Sequence, residues 1–97
     1  MSDHRKALTS RIIDGDGTAS REQRRAAFDA HGPEGASALI EKIARHAYKV
    51  TDADIAAVKA AGFSEDQIFE LAVCAAIGQA TRQLDNALAA LDAATKE

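Results

Sequence analysis

Glu70 and Cys74 stand four residues apart in QIFELAVCAAIG, a stretch that reads as helix, so their side chains share one face a single turn apart. At that spacing a carboxylate can exchange a proton with a thiol. Thiol chemistry runs through the thiolate, which a nearby cation favours, and His46 and Arg82 are the candidates to supply one. The surroundings work the other way. A carboxylate neighbour raises a thiol pKa, and Val73, Ala75, Ala76 and Ile77 make an apolar setting that raises it further. A buried, unreactive core cysteine is therefore the favoured reading of Cys74. If it is reactive, Cys74, Glu70 and His46 are the candidate catalytic residues.

His46 falls at the C-terminal end of a helical segment, beside Arg45, Tyr48 and Lys49, where the helix dipole favours an imidazolium, so a cap or surface role competes with any chemical one. His4 and His31 lie in a polar tail and a turn. With a single cysteine they offer no metal-ligand spacing, and neither a metal nor a cofactor is expected. Asp14, Asp16 and Thr18 resemble the start of a calcium loop, but the sixth position is Ala19 instead of Gly and the twelfth is Arg25 instead of a bidentate Glu, which leaves a glycine turn. Arg21, Arg24 and Arg25 form a basic helix face able to hold a carboxylate, against the plainer reading of a solvated face.

These residues sit in a chain of 97 residues, enough for one domain with a modest core. Its apolar content is dominated by alanine and it has no Trp, so each helix offers a shallow hydrophobic face; that favours helical packing and oligomerisation. A formal net charge of -3 gives no long-range attraction for phosphate backbones or anionic lipid, so neither nucleic acid nor membrane is an expected partner. The N-terminus has no apolar signal region, the longest apolar run is far short of the ~20 residues of a membrane span, and one cysteine permits no internal disulfide; a cytoplasmic address is the expectation.

The elements that must position the candidates are all helical. Residues 2–13 carry a weak helical pattern ended by Asp14, Gly15, Asp16 and Gly17, within a less defined N-terminal segment, residues 1–19. Ser20 with Gln23 is a capping box that opens a short helix to about Ala30. After the turn at His31, Gly32, Pro33, Glu34 and Gly35, residues 36–47 place Leu39, Ile40, Ile43, Ala44 and Ala47 on one face. Thr51 with Asp54 opens a helix of about ten residues ending at Gly62, and Ser64 with Gln67 opens the last, which meets no strong breaker before Thr95. Such a helix reaches roughly 40 Å. Ile77, Leu84 and Leu91 recur every seven residues along it, with Cys74, Thr81 and Leu88 beside them, a stripe that needs cover from the chain's own helices or from another subunit. Gly78, among alanines, marks a kink or a close helix crossing.

The phrase VTDADIAAVKAAGFSEDQIFE, followed by the alanine-rich helix with Asn86, resembles the C-terminal half of the carboxymuconolactone decarboxylase and AhpD-like alkylhydroperoxidase superfamily. Gly62, Ser64, Ile68 and Glu70 match a Gly-x-Thr-x-x-x-Ile-x-Glu pattern, and Asn86 falls where that pattern often has Asn. The likeness covers about residues 36–91. It departs at Asp54, Gly78 and Arg82, where decarboxylase-like members commonly carry His, Tyr and Pro, and the peroxidase members' Cys-x-x-Cys-x-x-x-His motif is absent. The resemblance implies an all-α, AhpD-like domain of about five helices with a long C-terminal helix, assembled as a homo-oligomer. It also implies a link to hydroperoxide metabolism with at most single-cysteine chemistry at Cys74, or a lyase-like activity; an external thiol would have to resolve any sulfenic acid. Two alternatives stand beside it: a non-catalytic helical module for self-association or partner binding, and an oligomer that binds a small carboxylate or lactone.

Overall fold

The computed structural model describes residues 3–15 and 17–95, without the side chains of residues 3–5, so His4 and Asp16 lie outside the side chains described. Five helices follow one another: α1 (Asp3–Asp14), α2 (Arg21–Phe28), α3 (Ser37–His46), α4 (Asp52–Ala60) and α5 (Glu65–Thr95), with a 3-10 turn at Ala47–Lys49 after α3. No strand occurs among the described residues. The all-α reading holds in this form, with the long C-terminal helix at 31 residues.

Each capping box does what its residue types allow. The Ser20 hydroxyl accepts from the Gln23 amide at 3.1 Å while Ser20 N–H donates to the Gln23 side chain at 3.3 Å. Thr51 with Asp54 and Ser64 with Gln67 repeat the exchange. Two orphan N–H groups are satisfied at each start, which fixes where α2, α4 and α5 begin. Asp54 also accepts from Lys42 Nζ at 2.9 and 3.1 Å, so the residue that caps α4 ties it to α3. Helix α3 stops one residue earlier than its apolar pattern suggests: Ala47 enters the 3-10 turn and is exposed.

The first half of α5 is the axis of the fold. Ile68, Leu71, Cys74, Ala75 and Gly78 recur at three- and four-residue spacing and are all buried. Leu71, Cys74 and Ala75 pack with Ala19, Ala27 and Ile40 in one cluster; Ile68 joins Ala36, Leu39 and Val58 in a second, and Ile43 and Phe63 touch both.

Helix α2 lies along α5 in the same sense, held at both ends. Near its N-terminus the Glu70 carboxylate accepts from the backbone of Thr18 and Ala19, and at its C-terminus Arg82 Nη1 donates to the Phe28 carbonyl at 2.6 Å. A negative group thus sits at the positive end of the α2 dipole and a positive group at its negative end. Between them a Cβ at Gly78 would run into the Phe28 carbonyl oxygen. Gly78 therefore marks a close crossing, and α5 runs unbroken through it.

Beyond Arg82 the described residues of α5 have no buried face. Every described residue from Gln83 to Thr95 is exposed, and the molecule measures 54 × 29 × 17 Å. Leu84, Leu88 and Leu91 are 43%, 44% and 60% exposed, and Leu8 on α1 is 54% exposed. Among the described residues no helix is long and apolar enough to cross a membrane.

Candidate functional site

Cys74 sits on the buried face of α5, 1% exposed, with alanine and aliphatic side chains around it. Burial pushes its thiol up from the ordinary value; the Arg24 guanidinium pulls the other way, and Glu70 adds to the rise. The neutral thiol is the favoured form, which makes Cys74 a poor nucleophile as it stands.

The structure places Glu70 one turn before Cys74, as the spacing requires, but gives its carboxylate another task. Thr18 N–H donates to both carboxylate oxygens at 2.9 Å and Ala19 N–H donates to Oε2 at 2.9 Å. Glu70 therefore pins the loop between α1 and α2. A Cβ at Gly17 would strike Glu70 Oε1, so the glycine that ends the first segment also makes room for this carboxylate. The backbone that follows Gly17 faces an acid from α5.

His46 and Arg82, the two expected cations, are engaged elsewhere. His46 is exposed at the end of α3, its ring edge-on to Tyr48 with centroids 6.0 Å apart. Arg82 is committed to the Phe28 carbonyl and to Gln79 Oε1, the latter at 3.2 Å. The cation near Cys74 is Arg24, and this corrects the reading of Arg21, Arg24 and Arg25 as one solvated face. Arg24 is 4% exposed, whereas Arg21 and Arg25 face solvent. Its position explains the difference. Arg24 lies one turn before Ala27, whose side of α2 packs on α5, so the guanidinium is carried inward. It donates to the Ile12 carbonyl from Nη1 at 3.0 Å, and its Nε is buried with no partner among the described residues. The i, i+3 relation to a core alanine was the signal available for this.

A cavity of about 190 Å³ opens beside the cluster, lined by Arg11, Ile12, Arg24, Phe69, Glu70 and Val73. Cys74 lies outside that lining, so the cavity gives access to Arg24 and Glu70 and not to the thiol. A second hollow of about 320 Å³ lies between α1, α2 and α5, lined by Lys6, Asp14 and Arg25 among others. Among the described residues no group of three or more His, Cys, Asp or Glu side chains is placed to hold a metal ion.

Comparison with known proteins finds no matching family model, no matching curated protein and no matching solved structure.

Proposed function

We propose that this chain is a non-catalytic helical module that self-associates through the projecting half of α5. The observation that carries the reading is the row of Leu84, Leu88 and Leu91 on a helix whose described residues beyond Arg82 are all exposed. With Leu8, these side chains expose roughly two whole leucines' worth of surface per chain. Burying a leucine contributes about 1.5–3 kcal/mol, so two chains would gain about 6–12 kcal/mol. Association costs about 4–15 kcal/mol, an opposing term of the same size, so the pairing is expected to depend on concentration. The resemblance to the AhpD-like superfamily, whose members assemble, supports the same reading. Light scattering over a dilution series tests it: a mass rising above the 10.2 kDa of one chain is expected, and a mass that stays there at every concentration contradicts it.

One observation favours a second reading, a site for a small carboxylate. Arg24, buried and incompletely bonded, shares the 190 Å³ cavity with Arg11, with apolar Ile12 and Val73, and with Glu70, whose carboxylate is held by the Thr18 and Ala19 N–H groups. A guanidinium pair suits a carboxylate, and the apolar wall suits a short hydrocarbon chain. Short-chain carboxylates should then raise the melting temperature of the native chain and fail to do so for Arg11→Gln; flat responses in both would remove the reading. Hydroperoxide chemistry would need Cys74 to become exposed and Arg24 to outweigh both burial and Glu70.

A further inference from the structure

We propose that a second copy of this chain pairs with the first in antiparallel sense along α5, about a two-fold axis at Leu84. In this register Leu91 of each copy lies on Ile77 of the other and Leu88 lies on Ala80 and Thr81. The inference rests on the self-association reading and adds its register.

The face is self-complementary when reversed. At one end, a groove of about 200 Å³ is lined by Leu8, Thr9, Ile77, Ala80, Thr81 and Leu84. At the other end of the same stripe, Leu88 and Leu91 are 44% and 60% exposed. Ile77, Leu84 and Leu91 are spaced seven residues apart, so reversal about Leu84 maps the row onto itself and brings projecting leucines over grooves at both ends. Ile77 and Leu84 lie roughly a third to a half of a turn around the helix from buried Leu71 and Ala75, with Cys74 between the two faces, so a partner helix can follow the stripe on the side away from Leu71 and Ala75.

Charge agrees with this register. Reversal sets Arg82 opposite Asn86, Asp85 opposite Gln83 and Asp92 opposite Ala76, so no two like charges meet. A parallel pair would instead set groove against groove and leave the leucines to meet only themselves.

Spin labels on Asn86→Cys and Ala93→Cys, each made singly at an exposed position, distinguish the arrangements, with the parent chain as the blank for buried Cys74. In the antiparallel register the two copies of position 86 are offset along the axis by about 6 Å and those of position 93 by about 27 Å. A clearly longer distance at 93 than at 86 is expected. Equal distances at the two positions would overturn the register and leave self-association standing. No intermolecular coupling at either position, with a monomeric mass, would overturn both.

Discussion

Cys74 feels a buried arginine that favours its thiolate and a carboxylate that opposes it, and desolvation outweighs the arginine. The sign for stability follows. The folded value is raised, so the contribution is fully present below the unfolded value near 9.0 and is lost as pH rises through the folded one. Native Cys74 should label slowly at pH 7 and rapidly after denaturation, and its alkaline loss of stability should vanish in Cys74→Ser. Fast labelling with an apparent pKa below the free-thiol value, together with peroxide consumption lost in that variant, would restore the redox reading. Glu70 is expected to act through the backbone it holds. Glu70→Gln keeps one acceptor and loses the charge, so chemical denaturation should show a loss of about 1–2 kcal/mol. An unchanged midpoint would mean that the α1–α2 loop needs no anchor.

At the scale of elements, the crossing of α2 and α5 decides the sign of a substitution. Gly78→Ala would gain about 1 kcal/mol in an exposed helix. Here the new methyl meets the Phe28 carbonyl, a backbone atom fixed by its own bond to Arg82, and a net loss of about 1–3 kcal/mol is expected in denaturant melts. A stabilised Gly78→Ala would show that the helices can part. Asp54 couples α3 to α4: the hydrogen bond from Lys42 Nζ, then that from the Thr51 backbone, holds its carboxyl below the ordinary 3.8. A lowered value means stability present above 3.8 and lost as pH falls, so the acid limb of the stability curve should flatten in Asp54→Asn. The starts of α2, α4 and α5 were legible in the sequence because capping boxes are local chemistry. The two sides of α2 were harder to see, because three arginines in one turn read as a charged face and only the spacing of Arg24 to Ala27 points inward. The partners of Glu70 were equally hidden, since backbone N–H groups more than fifty residues away leave no mark in residue type.

At the scale of the whole molecule, a shallow alanine core surrounds the first half of α5 and leaves the second half projecting with its leucines exposed. The heptad row was visible in the sequence; where its own chain stops covering it was not, because that depends on the lengths and directions of α1 and α2. The most direct measurement is the solution mass of the parent chain beside Leu84→Lys/Leu88→Lys, at matched concentrations and with helix content followed by circular dichroism. Both positions are exposed, so the variant should keep its helices and fall to the mass of one chain while the parent exceeds it. Equal masses for the two proteins would contradict self-association through this face.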